Sequence, residues 1–231
     1  MTSFMLVHGA FHGSACWART ASVLTELGHD ARTVELPLTS LSDDADTVRS
    51  AIEAANSPVV LVGHSYGGLV ISRAADGHAA VRHLVYVAAA MLDGADTSHG
   101  RGAQFPATPL RPLIRHLPDG TAAVEPEDAV RCFFNECPPD VAAEAATHLR
   151  PTAIACVAEA PGSEPWRTIP STYVVCERDR AVHPDFQRWM AARAGHVVTL
   201  DTDHFPCYSQ PRLLAGILAS AEPAPEVAPC P

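Results

Sequence analysis

The stretch Ser57–Ala75, SPVVLVGHSYGGLVISRAA, changes character halfway along. Its first half is a run of branched apolar residues, typical of a strand buried on both faces, and its second half has the spacing of a helix. Between them lies Gly63-His64-Ser65-Tyr66-Gly67, a G-x-S-x-G pattern. A strand that turns directly into a helix holds such a serine in a strained conformation, exposes its hydroxyl and tolerates only small residues two positions away. This strand, turn and helix predict an α/β fold, and Ser65 is the candidate nucleophile.

The same alternation of short apolar runs and longer helical segments extends over most of the chain. Strands are predicted over residues 4–8, 31–35, 59–63, 81–89, 172–176 and 197–200. Helices are predicted over residues 14–27, 42–55, 66–75, 184–194 and 210–220. This order is typical of a mostly parallel six-stranded sheet with helices on both faces, which is the fold class that we expect.

The alternation breaks between Met91 and Ser171, a region that holds 11 of the 20 prolines. We interpret this region as a cap inserted over the sheet. The last ten residues carry four prolines and cannot continue a helix, so we expect an extended tail there. The predicted organisation is a discontinuous α/β core of residues 1–92 and 171–221, an inserted cap of residues 93–170 and a proline-rich tail of residues 222–231.

The composition excludes several kinds of chemistry. The chain has 231 residues, of which 47% are apolar, enough for one well-buried globule. Its 16 basic residues are all arginines, because the sequence contains no lysine. This absence excludes a Schiff base with pyridoxal phosphate, a P-loop lysine and a lysine general base. The formal charge of −10, without a basic run, argues against nucleic acid and anionic membranes as partners. We therefore expect a small-molecule partner and no cofactor.

Cysteine usage and the N-terminus favour a cytoplasmic location. The seven cysteines are an odd number and form no C-x-x-C pair, which fits free thiols in a reducing compartment. The N-terminal sequence MTSFMLVHGAF has no basic residue before its apolar run, and that run is too short for a signal peptide. No stretch approaches the ~20 apolar residues of a membrane span.

A serine hydroxyl is a weak nucleophile at neutral pH, so it needs a general base and an acid that orients the base. In serine sites built on this kind of turn, the acid follows the serine along the chain and the histidine comes last. His204 lies in the sequence DTDHFP, just after the predicted strand 197–200, at the edge of the sheet where Ser65 is expected. His204 is therefore the candidate base, and we expect Asp201 and Asp203 to shape its loop.

Three carboxylates are candidates for the orienting acid. Asp179 lies in the loop after the predicted strand 172–176, where it could hold one tautomer of an imidazole. Glu177 lies two residues closer to that strand, and Asp93 follows the preceding strand. We favour Asp179 and keep Asp93 and Glu177 as alternatives.

The oxyanion of a tetrahedral intermediate needs two hydrogen-bond donors. One is expected to be the backbone N–H of Tyr66, the residue after the nucleophile. The other should come from the turn LVHGAFHGS after the first strand, where the N–H of Ala10 is the best candidate and that of Phe11 is the next. His8 and His12 in this turn are not aligned on a helix and have no carboxylate or cysteine beside them. We therefore expect them to form hydrogen bonds and not to bind a metal.

Apolar residues of the predicted cap and of the loops near Ser65 could form the substrate pocket. Helices are predicted in the cap over residues 127–134 and 139–149. Arg111 and Arg115 could contact a carboxylate or face solvent. The expected substrate contacts are Phe11, Phe105, Phe133, Phe134, Trp166 and Phe205, and the cap also contributes Leu110, Leu113 and Ile114 as cavity candidates.

With these residues placed, the chain resembles the α/β-hydrolase superfamily, in particular its small methylesterase and hydroxynitrile lyase branch. The resemblance covers nearly all of the first 220 residues. It rests on the segments LVHGAFHG, Trp17 followed by LTELGH, VGHSYGG, ERDRAVHPDFQRWM and DHFPCYSQP. It implies an α/β-hydrolase fold, a catalytic triad and a backbone oxyanion hole, with the triad on Ser65, Asp179 and His204 and the oxyanion donors on Ala10 and Tyr66.

Within that branch, the chain is similar to the esterases and departs from the lyases. The lyases place a lysine directly after the catalytic histidine and a threonine early in the oxyanion loop, where this chain has Phe205 and Gly9. The resemblance therefore implies a serine hydrolase for a carboxylic ester, thioester or lactone of a small to medium apolar acid. Because the sequence begins with the strand before the oxyanion loop, we expect no counterpart of the two antiparallel edge strands of larger relatives.

Two other functions are compatible with the same scaffold. One is a biosynthetic tailoring enzyme that uses the triad as acid and base to cyclise, decarboxylate or eliminate on a polyketide-like intermediate. The other is a ligand-binding receptor with a vestigial triad. The presence of all three triad residues argues against the receptor, because a binding pocket needs no activated nucleophile.

Overall fold

The computed structural model describes residues 2–55 and 57–221. The predicted tail, residues 222–231, lies outside the described residues. The strands within them are β1 Ser3–Val7, β2 Asp30–Val34, β3 Val59–His64, β4 Val81–Val87, β5 Arg115–His116, β6 Thr121–Ala123, β7 Thr152–Ala153, β8 Ser171–Cys176 and β9 His196–Leu200. The α-helices are α1 Ala18–Glu26, α2 Leu41–Glu53, α3 Gly67–Ala75, α4 Ser98–Gly102, α5 Pro126–Cys132, α6 Pro139–Ala146, α7 Ile154–Ala158, α8 Pro184–Ala191, α9 Pro206–Ser209 and α10 Pro211–Ser220.

Six of these strands form one sheet in the order β2-β1-β3-β4-β8-β9, and every neighbouring pair is parallel. This confirms the predicted six-stranded sheet. Because all strands run the same way, the loops that follow them leave the sheet at one edge. The loops after β1, β3, β8 and β9 carry Ala10, Ser65, Asp179 and His204, so the topology brings the candidate site residues to the same edge.

Strand β3 shows how the sheet forms two apolar cores. Val59 and Leu61 belong to the core beneath α2, α3 and α8, whereas Val60 and Val62 belong to the core beneath α1 and α10. All four side chains are buried. Successive residues of a strand point to opposite faces, so a continuous apolar run requires helices on both sides, and both sides have them.

The inserted segment, residues 88–170, connects β4 to β8. It contains α4 to α7 and a small antiparallel sheet in the order β5-β6-β7. The sequence predicted α5 and α6 but not this sheet, because strands of two or three residues cannot display an alternating pattern. The division of the chain into a core domain and a cap domain stays a prediction.

Two predicted boundaries shift for local reasons. The predicted helix over residues 14–27 starts as a 3-10 turn, Ser14–Trp17, before α1 begins. The predicted strand over residues 81–89 ends at Val87, because Ala88 has a φ of +45° and leaves the extended conformation. Within the described residues, we find no helix that is long and apolar enough to cross a membrane.

Candidate active site

Ser65 lies in a sharp turn between β3 and α3 with a φ of +52°, in the left-handed region. The turn leaves no space for side chains around it. A Cβ atom on Gly63 would lie 2.6 Å from the carbonyl oxygen of Gly67, and one on Gly67 would lie 2.7 Å from the carbonyl oxygen of His8. The N–H of Ser65 donates to the carbonyl of Val87 at 3.1 Å, which ties the turn to the neighbouring strand. The structure thus has the strained, glycine-flanked turn that the sequence predicted.

Asp179 and His204 contact each other at the same edge of the sheet. Nδ1 of His204 donates to Oδ2 of Asp179 at 2.6 Å, and both side chains are buried. The carboxylate also accepts hydrogen bonds from the N–H groups of Ala181 and Val182 and from Nε2 of Gln187, at 2.7 to 2.9 Å. Because Nδ1 carries a proton, Nε2 of the neutral ring is the basic nitrogen. This is the arrangement in which an acid orients a general base.

Gln187 is a buried residue of the site that sequence reasoning missed. Besides its bond to Asp179, its Nε2 donates to the carbonyl of Val182 at 2.9 Å, and its Oε1 accepts from the N–H of Cys176 at 2.9 Å. A signal was available, since Gln187 is three residues before the buried Met190 and therefore lies on the apolar face of α8. A polar side chain on such a face must find hydrogen-bond partners.

The two alternative acids are engaged elsewhere. Asp93 accepts hydrogen bonds from the guanidinium of Arg193 at 3.3 Å, and these bonds lower the pKa of its carboxyl. Glu177 pairs with Arg188 on the surface. The geometry therefore favours Asp179 as the partner of His204.

His64 supports the loop of His204. Nε2 of His64 donates to the carbonyl of His204 at 2.7 Å. The ring is buried, and burial holds the pKa of His64 well below its ordinary value, so the imidazole is neutral. Phe205 packs against the same ring, with 4.4 Å between the ring centroids. The base is thus carried by a loop with little freedom to move.

Asp203 ties the loop of His204 to the inserted segment. Its Oδ2 accepts a hydrogen bond from the N–H of Glu136 at 3.0 Å and one from the thiol of Cys137 at 3.4 Å. Its Oδ1 accepts from the hydroxyl of Ser209 at 2.8 Å. Burial raises the pKa of this carboxyl. Asp203 therefore has the loop-shaping role expected from the sequence and also fixes part of the inserted segment.

The backbone N–H groups of the candidate oxyanion donors differ in whether they already donate a hydrogen bond. Among the described residues, no hydrogen bond is donated by the N–H of Ala10 or by that of Tyr66, and both residues line the cavity that contains Ser65. The N–H of Phe11, by contrast, donates to the hydroxyl of Thr152 at 2.8 Å. This bond favours Ala10 over Phe11. The hydroxyl of Tyr66 donates to the buried Asp44 at 2.7 Å, which holds the residue in place.

A cavity of about 290 Å³ opens above Ser65 and His204. Of the residues expected to contact substrate, Phe11, Phe105 and Phe133 line this cavity. Leu110 and Ile114 line it as well, whereas Leu113 is not among the lining residues. The wall is therefore largely apolar and comes mostly from the inserted segment.

Phe134, Trp166 and Phe205 lie away from the cavity, which corrects the expectation that they contact substrate. Phe134 and Phe205 pack against each other in the core beneath α1 and α10, with ring centroids 5.0 Å apart. Trp166 belongs to the core on the other face of the sheet, and the guanidinium of Arg167 stacks on its ring. The sequence does not distinguish an aromatic residue that fills a core from one that lines a cavity, because both follow the same pattern of apolar positions.

His8 and His12 form hydrogen bonds around the oxyanion loop. Nδ1 of His8 donates to the carbonyl of Gly9 at 2.8 Å, and its Nε2 accepts from the N–H of Leu36 at 2.9 Å. A ring nitrogen of His12 lies 3.3 Å from the carbonyl oxygen of Ala145. These contacts agree with the hydrogen-bonding role expected for both residues.

Known proteins share this architecture. Residues 4–217 match the alpha/beta hydrolase family. The chain is 30% identical over 242 residues to the alpha/beta hydrolase nvfD of Aspergillus novofumigatus, covering 95% of this chain and 96% of that one. It is 27% identical over 246 residues to methyl jasmonate esterase 1 of Vitis vinifera, covering 93% and 94%. The solved structure of a pyrethroid hydrolase from Sphingobium faniae JZ-2 has a TM-score of 0.83 at 22% identity, covering 95% and 96%.

The chain belongs to the alpha/beta hydrolase family. The two relatives named above are called a hydrolase and an esterase, which confirms the resemblance to the esterase-type branch. The protein is therefore an enzyme of the carboxylic ester hydrolase type.

Proposed function

We propose that the protein is a cofactor-free serine hydrolase that cleaves a carboxylic ester, thioester or lactone of a small to medium apolar acid through an acyl-enzyme on Ser65. One observation carries the proposal. Ser65 and His204 line the same cavity, and His204 is oriented by the 2.6 Å hydrogen bond from its Nδ1 to Asp179. A ligand-binding receptor has no use for an oriented base beside a strained serine.

The reaction follows from the positions of the groups. Nε2 of His204 takes the hydroxyl proton of Ser65 while the serine oxygen attacks the ester carbonyl carbon. The N–H groups of Ala10 and Tyr66 stabilise the oxyanion, and Asp179 stabilises the imidazolium. His204 then gives its proton to the departing alcohol. In the second half, His204 activates a water molecule that hydrolyses the acyl-enzyme and releases the acid.

The cavity supports the proposed size and polarity of the substrate. Its volume of about 290 Å³ is just below the roughly 300–1,000 Å³ that small-molecule pockets occupy, which favours a small substrate. Phe11, Phe105 and Phe133 supply apolar surface for an acyl or alcohol group. The six described cysteines are free thiols, which fits the cytoplasmic location that we propose.

Covalent labelling tests the nucleophile. A fluorophosphonate should add one phosphonyl group to the peptide that contains Ser65, and hydrolysis of a chromogenic ester should disappear in parallel. Ser65→Ala should be neither labelled nor active. Ser98 also lines the cavity, so Ser98→Ala is the matched control and should still be labelled on Ser65. Labelling that persists in Ser65→Ala would overturn the proposal.

Product mass separates hydrolysis from the tailoring reactions that the same triad could perform. In water enriched in ¹⁸O, hydrolysis should place one ¹⁸O atom in the carboxylic acid product. A product of unchanged mass, or one that has lost carbon dioxide, would instead favour cyclisation, elimination or decarboxylation. A separate panel of chromogenic esters that differ in acyl length measures which acyl chains the enzyme accepts.

A further inference from the structure

The active-site cavity has a local charge opposite to that of the chain. The sequence has 26 acidic and 16 basic residues, a formal charge of −10. Among the described residues that line the cavity, however, there is no aspartate and no glutamate. The lining instead includes Arg111, His99 and His183, in addition to the candidate base His204. An anionic group entering this cavity would meet the guanidinium of Arg111 and no fixed negative charge on the described wall.

Arg111 lies at the mouth of the cavity. It begins the 3-10 helix Arg111–Leu113, and the residues on either side of this helix, Leu110 and Ile114, also line the cavity. Arg111 is exposed, whereas Leu110 is buried. A side chain that is exposed and also lines the cavity is at the boundary between the cavity and solvent.

The guanidinium of Arg111 has no carboxylate partner among the described residues, which sets it apart from the other arginines of the inserted segment. Those arginines form the pairs Arg101–Asp96, Arg115–Glu125, Arg131–Asp128, Arg150–Glu35 and Arg167–Glu164. The sequence left open whether Arg111 or Arg115 contacts a carboxylate of the substrate. The pairing of Arg115 with Glu125 leaves Arg111 as the residue available for this role.

The chemistry of a guanidinium defines the group that it would bind. It presents N–H donors in a planar fork that matches the two oxygens of a carboxylate. An ion pair in open water contributes little, but a ligand that fills an apolar cavity excludes water and strengthens the pair at its mouth. One guanidinium balances one carboxylate, whereas a phosphate dianion would keep an uncompensated charge. A carboxylate is therefore the anion that this site favours.

We propose that the substrate carries a free carboxylate, which Arg111 binds at the cavity mouth while the ester carbonyl lies at Ser65. An apolar chain between the two groups would contact the apolar wall. The substrate class is then a monoester of a dicarboxylic acid. This inference rests on the proposed hydrolysis at Ser65 and adds to it the chemistry of the distant end of the substrate.

Paired esters test the inference by kinetics. Each pair consists of a 4-nitrophenyl ester of a straight-chain monocarboxylic acid and the 4-nitrophenyl monoester of the dicarboxylic acid of equal length, with four to eight carbons. At low salt, kcat/KM should be about tenfold higher for the anionic ester in at least one pair. The ratio should shrink in 0.5 M NaCl, because salt screens the ion pair. A ratio of one or less in every pair would overturn the inference.

Arginine variants assign the preference to one side chain. Arg111→Gln should reduce the ratio of anionic to neutral kcat/KM about tenfold, and Arg111→Lys should retain part of it because it keeps the charge without the fork. Arg82 is exposed at the start of β4, the end of the sheet opposite the cavity. Arg82→Gln therefore removes the same charge elsewhere and should keep the wild-type ratio. A ratio that is unchanged in Arg111→Gln would contradict the proposal.

Binding to Ser65→Ala distinguishes failure of this inference from failure of the proposed hydrolysis. Calorimetry would compare monomethyl adipate with methyl hexanoate, and neither measurement requires turnover. Tighter binding of monomethyl adipate that is lost in Ser65→Ala/Arg111→Gln would support the carboxylate site even if no ester were cleaved. Equal cleavage of the anionic and neutral esters, with equal binding, would leave the hydrolase proposal standing and reject the carboxylate site.

Discussion

At the scale of single residues, hydrogen bonds hold the carboxylate of Asp179 firmly in place. It accepts hydrogen bonds from Ala181, Val182, Gln187 and His204. An asparagine in its place carries no charge to stabilise the imidazolium and favours the wrong tautomer of His204. We expect Asp179→Asn to lower kcat about 10⁴-fold, as measured with a chromogenic ester.

The alternative acids provide matched controls for this prediction. Asp93→Asn and Glu177→Gln each remove a carboxylate that pairs with an arginine and not with His204, so each variant should retain a kcat within about twofold of the wild-type value. Loss of activity in Asp93→Asn with retention in Asp179→Asn would transfer the orienting role to Asp93.

The residues of the site differ in how far the sequence could predict them. Ser65 carries a local signal in the glycines around it, and His204 follows from its place after the last strand. For Gln187 the sequence indicates burial and for Asp203 a place in the loop of His204, but the hydrogen-bond partners of both were not predictable, because they come from other loops or from the inserted segment. Whether Arg111 was paired was also not predictable, since ion pairs between exposed residues depend on how the loops fold.

At the scale of elements, the turn between β3 and α3 depends on the absence of a side chain at Gly63. A Cβ atom there would lie 2.6 Å from the carbonyl oxygen of Gly67, and backbone atoms cannot move away as a flexible side chain could. We expect Gly63→Ala to lower the free energy of unfolding by at least about 2 kcal/mol. Urea unfolding followed by circular dichroism measures this change.

Gly216 provides the matched control, because the same substitution should have the opposite effect there. Gly216 lies in the interior of α10, is exposed and has no atom within 4 Å of an added Cβ. Alanine in an open helical position reduces the entropy of the unfolded chain, so Gly216→Ala should raise the free energy of unfolding by about 0.5–1 kcal/mol. Equal destabilisation by both substitutions would contradict the argument from close contact at Gly63.

The sequence predicted the strands of the six-stranded sheet. It predicted the helices and strands of the inserted segment only in part. Strands β1, β3, β4 and β8 are buried on both faces, and such burial leaves a continuous apolar run in the sequence. The small sheet of β5, β6 and β7 has two or three residues per strand, and tertiary pairing determines it. The sequence therefore predicted the elements that position the triad better than those that form the cavity wall.

At the scale of the whole molecule, buried histidines couple stability to pH. Burial lowers the pKa values of His8, His12 and His64, to about 4 for His8. In the unfolded chain these groups titrate near 6.5. Between the two pKa values the unfolded state binds more protons, so the free energy of unfolding falls as the pH falls from about 6.5 toward 4. Asp44 and Asp203, whose pKa values burial raises, act in the opposite direction.

His8→Gln isolates one contribution, because glutamine can still donate to the carbonyl of Gly9 and accept from the N–H of Leu36. A histidine with a folded pKa of about 4 lowers the free energy of unfolding by about 2 kcal/mol between pH 7.5 and pH 5. Urea unfolding at both pH values should therefore show a loss about 2 kcal/mol smaller in His8→Gln than in the wild type. His116→Gln, at an exposed histidine of β5, should lose as much as the wild type. Equal losses in His8→Gln and the wild type would mean that folded His8 accepts a proton, which would require it to give up the hydrogen bond from Leu36.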